Sequence, residues 1–408
     1  MVVLVQGLVA RRRGPVRRMP GGAEHRSGRT SNHVSTLPTP PAAIAWGRVG
    51  RYDLSRDDVA QLLDGEPAYR ATQLWEGLYR HGSDPSELTV LPRPLRERLA
   101  HDPRLAPSLV ELRRSTSEQG KVVKWLWSLA GRGRVETVLM HYRDRSTVCI
   151  SSQAGCAMGC GFCATGQAGF QRNLTAGEMM EQVIRAAAAA RAGGRRLSNV
   201  VYMGMGEPLA NYERVWASVE RIHDELGLSA RHLTVSTVGI VAGIRRLARE
   251  RLPVNLAVSL HATNDQLRNS LVPVNRRYPL AALMEACRAY LDAKGRRLSF
   301  EWALMDGVND RPRDAAELVT LVRPLRAHVN LIPLNPTPGW PTRGTPPHRV
   351  RAFRDELVAL GVNATVRRNR GTDIDAACGQ LAAVDSVGSV DPVDSVASAE
   401  ATGAAASG

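Results

Sequence analysis

The sequence predicts an α/β protein: a parallel sheet with helices packed outside it, preceded by a small helical segment and a set of antiparallel strands. Three observations lead there. From residue 147 onward, six short apolar runs alternate with longer stretches of helical periodicity, the rhythm of β/α units. Residues 109–142 instead alternate between apolar and polar positions and are interrupted by glycine turns, as antiparallel strands do. Residues 53–103 carry only short helical patterns. Pattern alone leaves a doubly wound open sheet and a curved barrel equally open, and 408 residues suffice for one large domain and a smaller one.

Taken in order, residues 1–50 are rich in Gly, Pro, Ser and Arg without a periodic apolar pattern, and a disordered basic tail is expected. Met19 offers an alternative start. Residues 51–108 form the helical accessory region, with Ser55 as the N-cap of a helix running to Leu63. The stretch Pro67–Arg80 places Tyr69, Leu74, Trp75, Leu78 and Tyr79 at helical spacing. Such a stripe is a core face first and a base-stacking surface second.

Residues 109–145 hold the antiparallel strands, at Leu109–Leu112, Lys121–Leu129 and Val135–Met140, with turns at Ser117–Gly120 and Ala130–Gly133. Within 146–381, strands are expected at Thr147–Ser152, Asn199–Met203, His232–Val238, Val254–His261, Leu298–Met305 and Val329–Leu334. Helices are expected at about 175–192, 212–226, 240–251, 279–294, 311–326 and 347–360. Residues 382–408, an Ala/Val/Ser/Asp tail in which Val-Asp-Ser-Val recurs, are expected to be disordered.

Charge narrows the partners. Of the net +15, residues 1–50 carry +7 and residues 382–408 carry −4, so the body between them carries +12. A body with that excess suits nucleic acid, where neutralising phosphates dominates affinity. A GC-rich genome explains why only three lysines occur (Lys121, Lys124, Lys294), but not the excess over acids. No run of eighteen apolar residues is present, so no membrane span is expected. Six cysteines, four of them between 149 and 163, point to a reducing compartment and to metal or redox chemistry.

The chemistry centres on Cys156-Ala157-Met158-Gly159-Cys160-Gly161-Phe162-Cys163, three cysteines in eight residues. Zinc sites and iron–sulfur clusters each normally take four protein ligands. Three thiolates spaced C-x3-C-x2-C, with no second C-x2-C or H-x3-H pair to follow, favour a cluster whose fourth iron stays open. A zinc site remains the alternative. Phe162 is apolar shielding under either metal. Downstream, Gly204 and Gly206 in Tyr202-Met-Gly-Met-Gly-Glu-Pro-Leu allow close backbone approach to a ligand, or make a plain β–α turn. Glu207 beside them can accept hydrogen bonds from an ammonium group.

The run from Cys149 through the three cysteines to Phe170, with Tyr-Arg-Ala-Thr-Gln-Leu-Trp upstream, resembles the radical S-adenosylmethionine (SAM) enzymes. Within them it looks like the methyltransferases that act on C2 of an adenine in 23S rRNA and tRNA. The likeness extends over roughly residues 52–381. It implies a partial (β/α)6 radical SAM barrel with its site at the strand C-terminal ends, and a [4Fe-4S] cluster on Cys156, Cys160 and Cys163 with SAM on the open iron. By the same resemblance SAM is bound by Gly206, Glu207, Ser236, Ser259, Leu260, His261 and Asn335. Taken alone, His261 reads as a structural histidine.

The resemblance also assigns Cys149 and Cys378, each of which alone would read as an inert buried thiol. Cys378 receives a methyl group from one SAM. A second SAM, cleaved at the cluster, removes hydrogen from it, and the resulting carbon radical adds to adenine C2. Cys149 then takes a proton and forms a disulfide with Cys378, releasing the RNA; cellular thiols reset the pair. Glu136 matches a position assigned as proton acceptor, and on its own would read as an exposed strand carboxylate. Cys287, within a helical pattern, reads as an inert thiol. Expected partners are 23S rRNA, tRNA and an electron donor such as flavodoxin or ferredoxin, with a cytoplasmic monomer and no membrane. The alternatives are a C8-methylating resistance enzyme, disfavoured by Pro208, and a zinc-stapled RNA-binding protein without catalysis.

Overall fold

Ser55 caps α1 (Arg56–Leu62) with a reciprocal capping box to Asp58. α2 (Tyr69–Glu76) runs on through a wider π turn, Gly77–His81, and α3 (Arg93–Ala100) begins after Pro92. Leu74, Trp75, Leu78 and Tyr79 are buried, whereas Tyr69 is exposed. The stripe is therefore core. Trp75 and Tyr79 stack at 4.4 Å, and the Trp75 indole N–H donates to Glu225 Oε2 at 2.7 Å. Their faces are not available to bases.

The structure, a computed structural model, describes residues 50–337, 339–367, 370–377 and 379–381. The two tails expected to be disordered lie outside these residues, Gly50 apart.

A ten-stranded sheet organises the rest, in the order β1-β2-β3-β4-β7-β8-β9-β10-β11-β12. Its first three strands, β1 (Leu109–Ser117), β2 (Val122–Leu129) and β3 (Arg134–His141), are an antiparallel meander. β3 pairs antiparallel with β4 (Ser146–Cys149), so the meander and the barrel share one sheet. A separate short hairpin, β5 (Gln153–Gly155) with β6 (Phe170–Asn173), encloses the cysteine segment and the one-turn α4 (Ala164–Gln167).

The β/α units follow. α5 (Ala176–Ala192), with Thr175 and Glu178 forming its capping box, leads to β7 (Leu197–Tyr202). α6 (Tyr212–Leu226) leads to β8 (Leu233–Thr237), and α7 (Val241–Leu247) to β9 (Asn255–Ser259). α8 (Asp265–Leu271) and α9 (Leu280–Lys294) precede β10 (Leu298–Leu304). α10 (Pro312–Val322), β11 (His328–Pro333), α11 (Pro347–Ala359) and β12 (Ala364–Val366) follow among the described residues. β4, β7, β8, β9, β10, β11 and β12 pair in parallel throughout. Residues at the ends of β7, β8, β9 and β11 line one cavity together with β10. The sheet thus curves as an open barrel, with β12 as a seventh parallel strand.

Several expectations need adjustment. The helix expected over 240–251 stops at Leu247. The helix expected over 311–326 changes to a 3-10 turn at Arg323–Leu325, where Pro324 has no N–H to continue the ladder. α8, the hairpin and β12 have no counterpart among the elements that the sequence predicts. Each is too short for its periodicity to register.

Candidate active site

The segment between β5 and α4 presents Cys156, Cys160 and Cys163 to one cavity. Its backbone is tied down: Cys156 N–H donates to Gly169 O at 2.8 Å and Cys163 N–H to Cys160 O at 3.1 Å. Met158, Leu271, Val272 and Trp340 surround it with apolar contacts. Phe162, between two of the thiols, meets the His261 ring edge-on at 5.0 Å. Burial pushes the Cys156 thiol up to about 12 and raises Cys160 as well. Thiols held this dry ionise only with a compensating cation.

Among the described residues, no three His, Cys, Asp or Glu side chains converge where a single metal ion would sit. A tetrahedral zinc site needs four donors about 2.0–2.3 Å from one centre, and this segment supplies three thiols with no fourth ligand of its own. A cluster, whose thiolates bind separate irons, makes no such demand. Three thiols around one apolar recess fit it.

The cavity holds about 1110 Å³ of empty space including its open mouth. Met203, Gly204, Gly206, Glu207, Ser236, Ser259, His261 and Asn335 line it with the cysteines. The two glycines also serve packing within the fold. A Cβ on Gly206 (φ +96°) would lie 2.5 Å from Gln153 Cβ, and one on Gly204 would lie 2.7 Å from Ile150 O. They let this turn pack against the chain following β4, rather than only admit a ligand.

Glu207 is buried. Its carboxylate accepts from Leu209 N–H at 3.0 Å and Val238 N–H at 2.8 Å, while its own N–H donates to Gln153 Oε1 at 2.8 Å. Burial pushes this carboxyl up to about 7. Ser236 Oγ donates to Tyr202 O at 2.5 Å, leaving its lone pairs toward the cavity. Leu260 is not among the lining residues. Its N–H is taken by Glu301 O and its carbonyl by Arg268.

His261 adopts a left-handed backbone, φ +61°, costly for a residue other than glycine. Its Nδ1 accepts from Ala303 N–H at 3.0 Å. The neutral ring therefore carries its proton on Nε2, and burial pushes its pKa down to about 3. Asn309 holds the turn, donating to both His261 O and Ala303 O at 2.8 Å.

A second, smaller cavity adjoins the first, and Met203, Arg367 and Leu381 line both. Cys149, at the end of β4 and buried, lines it with Val138, Met140, Ala376 and Ala377. Among the described residues no disulfide is present. Cys378 lies outside them, but the chain on both sides of it is described. On one side Ser117 Oγ donates to Asp373 Oδ1 at 2.5 Å and Lys124 Nζ to Asp375 O at 3.2 Å. On the other, Ala164 N–H donates to Gly379 O at 2.8 Å.

Glu136 is not an exposed carboxylate: it is buried and ion-paired to Lys124 at 2.9 Å. By alternation it shares the face of Val138 and Met140, which line the cavity of Cys149. Glu136 itself is not among the residues lining either cavity.

Three residues with evident roles escaped the sequence. Lys124 neutralises Glu136. Arg268, fully buried, donates to Val238 O at 2.7 Å, Ser259 O at 2.9 Å and Leu260 O at 3.0 Å, and so locks together the ends of β8 and β9. Glu301 lines the main cavity from β10. A lone arginine in a short stretch without visible periodicity, or a lone acid in a strand, carries no signal of this.

Comparison with known proteins bears on this arrangement. Residues 150–319 match the radical SAM superfamily. The probable dual-specificity RNA methyltransferase RlmN of Chloroflexus aurantiacus is 51% identical over 354 residues, covering 82% of this chain and 93% of that protein. Dual-specificity RNA methyltransferase RlmN 1 of Myxococcus xanthus is 49% identical over 337 residues, covering 81% and 94%. Among solved structures, a radical SAM methyltransferase from Sphaerobacter thermophilus is 51% identical, with a TM-score of 0.78 over 82% of this chain and 99% of that one.

Proposed function

The chain belongs to the dual-specificity RNA methyltransferase family of radical SAM enzymes, and from that premise we propose that it methylates C2 of an adenine in 23S rRNA and in tRNA. It is an RNA methyltransferase that uses a [4Fe-4S] cluster and SAM. The reading is carried by one observation: three cysteines and Glu207 line a cavity that shares Met203, Arg367 and Leu381 with the cavity of Cys149.

Cys156, Cys160 and Cys163 would hold the cluster, and Glu207, Ser236, Ser259, His261 and Asn335 would hold SAM. Bound there, the cluster and SAM supply a methyl group and the radical chemistry that an electron-poor adenine C2 requires. The protein positions, shields and moves protons. Glu207, pinned by two backbone N–H groups, offers its remaining lone pairs to the SAM ammonium. The His261 Nε2–H is a fixed donor, since Nδ1 is already accepting. Met158, Phe162 and Trp340 keep water from the thiols.

Cys378 would carry the methyl group to the base. Cys149 would take a proton and form a disulfide with Cys378 on release, and Glu136 would serve as proton acceptor. The body's charge of +12 supports binding of RNA phosphates. A flavodoxin or ferredoxin would supply electrons in the cytoplasm, and the enzyme would act as a monomer; no helix among the described residues is long and apolar enough to cross a membrane.

The test is anaerobic reconstitution with iron and sulfide, followed by reaction of 23S rRNA fragments and tRNA with SAM and a reductant. Nucleoside mass spectrometry should find 2-methyladenosine in both. 8-Methyladenosine would assign the C8 chemistry instead, and stoichiometric zinc without iron would remove the catalytic reading altogether.

A further inference from the structure

β10 is buried along its whole length, yet it carries an acid in its middle. Alternation sends Phe300 and Trp302 outward, where Trp302 stacks on Phe353 of α11 at 6.3 Å. It sends Glu301 and Ala303 inward, and both line the main cavity. Glu301 is only 5% exposed. One of its carboxylate oxygens is fully engaged: Oε1 accepts from Ser299 Oγ at 3.1 Å and from Asn330 Nδ2 at 2.8 Å. The other, Oε2, is buried with no hydrogen-bond partner.

A buried carboxylate oxygen without a donor is costly, and native proteins rarely leave one so. The missing donor therefore belongs to whatever fills the cavity. On the reading above that is SAM, which offers an ammonium, an adenine amine and two ribose hydroxyls. The ammonium falls to Glu207, at the end of β7 close to the cysteines. Glu301 lies three strands further round the sheet, and its register partner on β9 is Ser259, another lining residue. In an extended ligand anchored at the cysteines, the part that reaches these central strands is the sugar.

We infer that Glu301 is a positioning residue for SAM, its Oε2 accepting a hydrogen bond from a ribose hydroxyl. Ser299 and Asn330 hold the carboxylate in place, so the acceptor is fixed before the ligand arrives. Gripping the sugar fixes the carbon attached to sulfur relative to the cysteine recess, where a small misplacement would be expensive. Nothing in the local sequence Ser299-Phe-Glu-Trp-Ala distinguishes this acid from a structural one; the orphaned oxygen does.

This inference rests on the SAM reading of the cavity, and binding separates the two. Equilibrium dialysis of the anaerobic, cluster-loaded full chain is run with SAM, 2′-deoxy-SAM and 3′-deoxy-SAM. Wild type should bind one deoxy analogue about 10- to 100-fold more weakly than SAM, the range for a hydrogen bond to a charged group. E301A should bind SAM and that analogue equally. E301Q, isosteric with the native side chain, guards against misfolding and should lose most of the discrimination while keeping wild-type iron content. Unchanged discrimination in E301A and E301Q, or no loss of SAM affinity in either, would overturn the assignment but leave the SAM reading standing. Failure of cluster-loaded wild type to bind SAM would sink both.

Discussion

Lys124 Nζ lies 2.9 Å from Glu136 Oε1, with the two side chains 6% and 4% exposed. The same ammonium donates to Asp375 O at 3.2 Å, three residues before Cys378. One buried cation thus joins the carboxylate on β3 to the loop that carries the second cysteine. Removing one partner of a buried pair is costly, about 3–5 kcal/mol. K124M should therefore destabilise the protein by about that much, as read by denaturant unfolding. Substituting both residues, as K124M/E136L, should cost less than K124M alone. Equal or greater damage in the double variant would show that the pair is not the unit.

The cysteine segment depends on one close approach. A Cβ on Gly155 would lie 1.9 Å from Gly169 O, whereas one on Gly169 meets nothing within 4 Å. Both residues have positive φ, so each alanine variant bears a conformational penalty of about 1–2 kcal/mol. Only G155A also forces β5 from β6. Iron per chain after anaerobic reconstitution should fall severalfold in G155A and remain near wild type in G169A. Similar iron in both variants would mean that the hairpin does not shape the cluster segment.

His328, at the start of β11, is buried beside Arg297, and burial followed by that charge pushes its pKa down to about 4. Its folded pKa is below the unfolded value near 6.5, so the unfolded chain binds the extra proton between them. Stability is then greatest above pH 6.5 and declines as pH falls toward 4. Thermal unfolding from pH 8 to pH 4 should show a shallower decline in H328Q than in wild type, the remainder including His261, whose pKa burial also lowers. An identical slope in H328Q would place the titrating group elsewhere.

The sequence is legible where a segment is long and one-sided. α6 begins and ends where its periodicity says, at Tyr212 and Leu226, and Ser55 caps α1 as its place before an apolar pattern implies. The cysteine spacing likewise marks a metal segment without any fold. Strands buried on both faces carry no alternation, so Glu301 on β10 cannot be distinguished as facing the cavity. Nor can Arg268, whose partners on β8 and β9 are brought to it only by folding. Lys124 and Glu136 lie twelve residues apart on neighbouring strands, and their pairing depends on a register that composition does not set. What the sequence hides is mostly lateral: contacts across the sheet rather than along the chain.

The two outlying cysteines should fail at different steps. Cys149 is buried at the end of β4, in a cavity lined also by Ala376 and Ala377, whereas Cys156, Cys160 and Cys163 face the main cavity. Loss of a main-cavity thiol should abolish iron binding, so C156A, C160A and C163A stop before any chemistry. C378A retains all three thiols and should load iron normally, yet no carbon should reach the RNA. C149A should load iron and add to the RNA but fail to let go, because no thiol remains to displace the adduct. Intact-mass spectrometry of protein and RNA from each variant distinguishes the outcomes. A covalent protein–RNA species should accumulate in C149A alone. Methylated RNA from C378A, or the absence of an adduct in repeated preparations of C149A, would show that the carbon travels by another route than these two sulfurs.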